Sequence, residues 1–164
     1  GYTRSPVTFE VFQATRDVLQ LLVPHASTDI RMDVRFEGDG YIECVPEEVN
    51  QVLTNLVSNA VDALNEAGGG TLRITGAVDR GQVQLSVRDS GSGIDPEHLA
   101  NLFTPFYTTK GPGHGMGMGL FICHRVVTSL RGSISVNSEK GRGTEMIIRI
   151  PQARAPQGTE LPAS

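Results

Sequence analysis

The sequence predicts an α+β domain in two layers, and three observations lead there. Segments such as Ile30 to Phe36 and Gln82 to Asp89 alternate apolar and polar residues, the pattern of half-buried strands. Longer segments place apolar residues at helical spacing, above all Glu47 to Ala67. Short glycine turns, Asp79-Arg-Gly81 and Gly141-Arg-Gly143, separate strands that follow one another directly. A sheet and a set of helices that each carry one apolar face bury those faces by packing on each other.

In chain order, residues 1–7 carry no pattern and are expected to be an N-terminal segment or cloning remnant. From Thr8 onward, Val11, Ala14, Val18, Leu19 and Leu22 recur at helical spacing until Pro24 ends the helix. Ile30 to Phe36 is a strand, Gly38-Asp-Gly40 a turn, and Tyr41 to Val45 a short second strand. Pro46 suits the first turn of the next helix. Its stripe is Val49, Val52, Leu53, Leu56, Ala60, Ala63 and Leu64, and Gly68-Gly-Gly70 terminates it. Leu72 to Val78 and Gln82 to Asp89 form a hairpin, and Pro96 to Leu102 a short helix. Phe103-Thr-Pro-Phe106-Tyr107 anchors the base of a glycine-rich loop, Thr108 to Gly115, whose composition suits a mobile lid. A helix from about Gly117 to Leu130 buries Leu120, Cys123, Val126, Val127 and Leu130. Ile134 and Val136 mark one more strand, and Met146, Ile148 and Ile150 the last. Residues 8–150 read as one domain, and 151–164, with three prolines and no periodicity, as a disordered tail.

Composition narrows the function. A net charge of −4 without any Lys/Arg cluster argues against nucleic acid as a partner. No apolar run reaches membrane-spanning length and no signal peptide opens the chain, so direct membrane contact is not expected. Cys44 and Cys123 sit among apolar residues without metal-ligand spacing, as buried thiols of a reducing, cytoplasmic compartment do. His25, His98, His114 and His124 share no metal spacing either. A nucleophile elbow is only mimicked by Gly91-Ser-Gly93.

Three features carry chemistry. Asp89 falls on the same strand face as Val83, Leu85 and Val87, and a carboxylate pointing toward a core needs donors. Gly91 and Gly93 follow and remove side chains that would stop a flat ligand. The exocyclic amine of an amino-purine is one such donor; backbone amides of an ordinary turn are another, and these six residues do not decide between them. The second feature is a polar ridge of Glu48, Gln51, Asn55, Asn59 and Asp62 along one helix. Asn is a mediocre helix former, so Asn59 offering an oxygen to a triphosphate's Mg²⁺ is one reading, and a solvated face is the other, commoner one. Third, Gly115, Gly117 and Gly119 leave amides bare at a helix N-terminus, which suits phosphate. The βαβ context of a dinucleotide fingerprint is missing, and a ligand-free hinge is the alternative.

The order Asn55-x-x-x-Asn59, Asp89-x-Gly91-x-Gly93, Phe103-x-Pro105-Phe106, Gly115-x-Gly117-x-Gly119-Leu120 and Gly141-x-Gly143-Thr144 resembles the ATP-binding catalytic domain of bacterial sensor histidine kinases. That family shares a superfamily with gyrase, heat-shock chaperone and MutL ATPases. Phe106-Tyr-Thr-Thr-Lys110 looks most like the nitrogen-regulation and dicarboxylate sensor subgroup. The resemblance implies a Bergerat-type α/β sandwich: a mixed, mainly antiparallel sheet, helices on one face, and ATP between helices and a flexible lid. It implies that Asn59 holds Mg²⁺, that Asp89 binds the adenine amine, and that Gly91, Gly93 and Ile94 shape the base slot. Gly115, Gly117 and Gly119 would wrap the phosphates, and Asn55, Asp62, Phe103, Phe106, Thr109, Met116, Met118, Leu120 and Thr144 would complete the pocket. Lys110 is the candidate for neutralising the β/γ oxygens.

Asn55 occupies the place where the related ATPases carry a water-activating glutamate. An amide is no general base at neutral pH, so the γ-phosphate is kept for a protein acceptor. The implied reaction passes the γ-phosphoryl group of MgATP to a histidine, for relay to an aspartate on a response-regulator receiver domain. None of the four histidines sits in a helical phosphoacceptor motif, so the resemblance places the dimerisation and phosphoacceptor helices elsewhere in a longer parent kinase. The fragment is then expected as a monomer, and the parent as a homodimer. Met116 replaces a common Thr or Ser and Met118 the usual Leu, while Asp62 and Ala63 replace a Lys and a Tyr of some members. These departures imply a modest affinity. Two alternatives remain: a degenerate nucleotide-binding signalling module, opposed by Asn59, Asp89 and the lid glycines, and an anti-sigma-factor-like serine kinase, opposed by the Phe103 to Phe106 box.

Overall fold

Alternation along the strands fixes which side of the sheet is buried. The computed structural model describes residues 5–104 and 119–155. Its elements are β1 (Val7–Glu10), α1 (Val11–Leu22), β2 (Ile30–Phe36), β3 (Tyr41–Cys44), α2 (Pro46–Ala67), β4 (Gly70–Asp79), β5 (Gln82–Asp89), α3 (Pro96–Leu99), α4 (Gly119–Ser129), β6 (Ser133–Glu139) and β7 (Gly143–Pro151). A five-stranded sheet runs in the order β2-β4-β5-β7-β6, with β2 parallel to β4 and the other neighbours antiparallel. Helices α2 and α4 pack on the sheet, and α1 packs on α2. The expected two-layer, mainly antiparallel α+β architecture is therefore present.

The register lines up rungs across the inner face. Val34, Ile74, Val87, Met146 and Val136 form one, and Phe36, Gly76, Leu85, Ile148 and Ile134 the next. Between this face, α1 and α4, helix α2 buries Val49, Val52, Leu53, Leu56, Val57, Ala60, Val61 and Leu64. Each fully buried aliphatic side chain is worth about 1.5–3 kcal/mol, so the central helix is the main anchor of the layer. The rung at the end of β5 is different: Leu72, Asp89, Thr144 and Ser138. Here the apolar face gives way to three polar side chains in a row.

Several boundaries differ from expectation. The first helix begins at Val11 rather than Thr8, because Val7 to Glu10 pair antiparallel with β3. Glu10 ends that strand and caps the helix, its carboxylate accepting from the amides of Phe12 and Gln13. Gly38 to Gly40 connects strands of two different sheets, since β2 pairs with β4 while β3 pairs with β1, and β3 ends at Cys44 rather than Val45. The helix at Pro96 stops at Leu99, with turns continuing to Phe103. The start of the segment predicted as a tail is paired instead: β7 includes Pro151, Gln152 N–H donates to Gly81 O at 2.9 Å, and Ala153 N–H to Tyr41 O at 2.7 Å, while residues 156–164 lie outside the described residues. Other boundaries agree. Pro46 occupies the first turn of α2, Gly68 ends it at φ 81°, and the β4–β5 turn has positive φ at both Arg80 and Gly81.

Candidate nucleotide site

Asp89 closes β5 with its side chain on the inner face, 5 % exposed. Burial pushes its carboxyl pKa up, while the backbone amides of Gly91 and Thr144 pull it back part of the way. Gly91 N–H donates to Oδ1 at 2.9 Å. The turn expected as one alternative is thus present. It does not exclude the other, because a carboxylate has room for more than two donors. No ion pair reaches Asp89 among the described residues. A neutral donor such as an amino group suits such an acceptor.

The two glycines after Asp89 have packing reasons as well as the predicted one. A Cβ on Gly91 would lie 2.8 Å from Asp89 Oδ1 and 3.1 Å from Ala63 of α2, so the loop is pressed against the helix. Gly93, at φ 77°, has its open side against the carbonyl oxygen of Glu139 rather than an empty slot. Residues 90–95 are in fact docked on the β6–β7 turn. Ile94 N–H donates to Ser138 Oγ at 2.9 Å, Gly141 N–H to Ser92 O at 2.6 Å, and Lys140 pairs with Asp95 at 3.1 Å. Ser138 also lies 2.8 Å from Thr144 Oγ1 and 3.0 Å from Gly143 O. Sequence reasoning missed Ser138. The available signal was its alternation with Ile134 and Val136, which puts a hydroxyl on the buried face.

The polar ridge of α2 is not uniformly solvated. Glu48 and Gln51 are exposed, whereas Asn55, Asn59 and Asp62 are half-buried. Asn55 Nδ2 donates to Gly119 O at 3.2 Å, tying α2 to the start of α4. Asn59 and Asp62 also make polar or electrostatic contacts. Leu120 and Thr144 complete the described set, Leu120 half-buried on the core and Thr144 8 % exposed beside Asp89. Phe103 is half-buried with its ring centroid 5.5 Å from that of His124. Phe106, Thr109, Lys110, Gly115, Met116, Gly117 and Met118 lie outside the described residues. Among the described residues no group of three or more His, Cys, Asp or Glu could hold a metal. A cation here would need amide oxygens and ligands of its own nucleotide.

The described residues thus bring a polar rung of the sheet, Asp89, Thr144 and Ser138, and the half-buried amides of α2 to one end of the helix layer, beside the start of α4 at Gly119. Residues 44–154 match the histidine kinase-, DNA gyrase B-, and HSP90-like ATPase family, and the chain belongs to it. Sporulation kinase E of Bacillus subtilis (strain 168) is 34% identical over 143 residues; the match covers 86% of this chain and 19% of that kinase. The catalytic domain of histidine kinase ThkA, in a nucleotide-free form, has a TM-score of 0.79 at 29% identity, covering 90% of this chain and 95% of that one. Full-length ShkA in complex with AMPPNP has a TM-score of 0.77 at 29% identity, covering 94% of this chain and 32% of that one. The chain is accordingly an ATP-binding catalytic domain of the sensor histidine kinase type. It spans only 19% of the length of the kinase named first.

Proposed function

We propose that this domain transfers the γ-phosphoryl group of MgATP to a histidine on helices outside this sequence, which then supply a response-regulator aspartate. The observation that carries the proposal is the pairing of a buried Asp89, without an ion pair among the described residues, with a half-buried amide ridge in which Asn55, not a carboxylate, holds the start of α4. Asp89 accepts the adenine amine, with Gly91, Gly93 and Ile94 forming the wall behind it. Asn55 offers no base to activate water, which favours a kinase over an ATPase.

The donor set fits magnesium. Asn59 and Asp62 carry hard oxygen atoms and are half-buried, and Mg²⁺ takes few protein ligands when phosphates and waters supply the rest. Asn59 is the proposed ligand. When bound, the ion neutralises phosphate charge and orients the nucleotide. Gly115, Gly117 and Gly119 present backbone amides to the phosphates, and Lys110 adds a positive charge there. The remaining work is positioning, the larger part of phosphoryl-transfer catalysis.

Partners follow from this reading: the dimerisation and phosphoacceptor helices of a homodimeric parent, and a receiver domain, all in the cytoplasm. Among the described residues no helix is long and apolar enough to cross a membrane. The test is to supply phosphoacceptor helices with ATP carrying a labelled γ-phosphate. Acid-labile label on the helices, absent with Asn59→Ala, is the expected outcome; equal labelling with the variant would move the metal site elsewhere.

A further inference from the structure

Ser138 is the one polar side chain of the inner rung to which no role has been assigned, and its contacts are unusually complete. A serine hydroxyl has one proton and two lone pairs. Its oxygen lies within hydrogen-bonding distance of three groups: Ile94 N–H at 2.9 Å, Gly143 O at 3.0 Å and Thr144 Oγ1 at 2.8 Å. An amide N–H can only donate and a carbonyl can only accept. For all three contacts to be hydrogen bonds, Ser138 gives its proton to Gly143 O and accepts from both Ile94 and Thr144. The Thr144 hydroxyl proton is then committed to Ser138, and what Thr144 presents elsewhere is lone pairs.

Thr144 stands directly across from Asp89 in the β5–β7 ladder, and both are buried on the same face. Cross-strand neighbours place their Cβ atoms about 5 Å apart. The base end of the site therefore offers two acceptors side by side, a carboxylate and a hydroxyl oxygen. We propose that Ser138 is a specificity-determining residue: by fixing the direction of the Thr144 hydroxyl it makes this corner acceptor-only, selecting purines with an exocyclic amine over those with an oxo group. The proposal rests on the reading of Asp89 as the base-binding carboxylate. A 6-amino group donates to either oxygen, whereas a 6-oxo group meets lone pairs and leaves them unpaired. Discrimination of this polar kind is larger than that from shape alone.

The experiment compares ATP with inosine triphosphate, which differs at that group and its ring tautomer, by competition against a fluorescent ATP analogue. It uses the 164-residue chain and the variants Ser138→Ala, Ser138→Thr and Asp89→Ala, each with a thermal melt to report folding. Ser138→Ala frees the Thr144 proton to turn outward, so the preference for ATP should fall about tenfold, chiefly through tighter inosine triphosphate binding. Ser138→Thr keeps the hydroxyl and should keep the preference. A merely structural role would weaken both nucleotides together. An unchanged preference in folded Ser138→Ala, alongside a lost preference in Asp89→Ala, would overturn the assignment to Ser138 alone. An unchanged preference in Asp89→Ala would overturn the reading of Asp89 itself, and this inference with it.

Discussion

Asp89 concentrates the site's chemistry because its surroundings oppose its charge. Its carboxyl holds a proton to higher pH in the folded chain than in the unfolded one, chiefly through burial. A raised carboxyl pKa contributes stability that is fully present below the unfolded value and is lost as pH rises through the folded value. Asp89→Asn keeps the shape without the charge. It should melt at a higher temperature than the native nucleotide-free protein at neutral pH, with the difference shrinking in acid. The same variant should bind an ATP analogue about tenfold more weakly, the order of a hydrogen bond to a charged group. Melts at two pH values with one binding titration check both; a variant less stable at neutral pH would contradict the account. The thiols behave differently. Burial pushes Cys44 and Cys123 up to about 11, so neither forms thiolate near neutrality. Iodoacetamide should leave both unmodified in the native protein and alkylate both in denaturant, as mass spectrometry would show.

At the scale of elements, the ends of α2 test the local physics. Gly68 adopts φ 81° with nothing within 4 Å of an added Cβ. Gly68→Ala should therefore cost only the backbone term, about 1 kcal/mol by urea denaturation. A Cβ on Gly93 would instead overlap Glu139 O, so Gly93→Ala should displace the loop after Asp89 and weaken nucleotide binding as well as stability. Helix α2 and strand β5 were legible because their own residues specify them: Pro46, an apolar stripe, Gly68, and strict alternation to Asp89. Strand β1 was not. Val7 and Phe9 adjoin a helical pattern, and they form a strand only because β3 lies alongside, more than thirty residues further on. Pairing between distant segments leaves little local trace. For the same reason the β2–β4 parallel pair and the docking of Gln152 and Ala153 were hidden. At the site, Asp89 was found through its face, while Ser138, on the inner face of its own strand, was passed over because its importance depends on what stands opposite.

For the whole molecule, the central claim is that the inner rung and the α2 ridge together form an ATP pocket that works with magnesium. The chain covers 95% of the ThkA catalytic domain but 19% of Sporulation kinase E, so binding is expected to reside here and transfer to need further helices. The direct measurement is calorimetric titration of the 164-residue chain with a non-hydrolysable ATP analogue, with and without Mg²⁺. Binding that Mg²⁺ strengthens is expected, with loss of that strengthening in Asn59→Ala while a cooperative melt shows the variant still folded. No binding at about millimolar analogue, an affinity near 4 kcal/mol or weaker, would contradict it and leave a signalling module that holds no nucleotide.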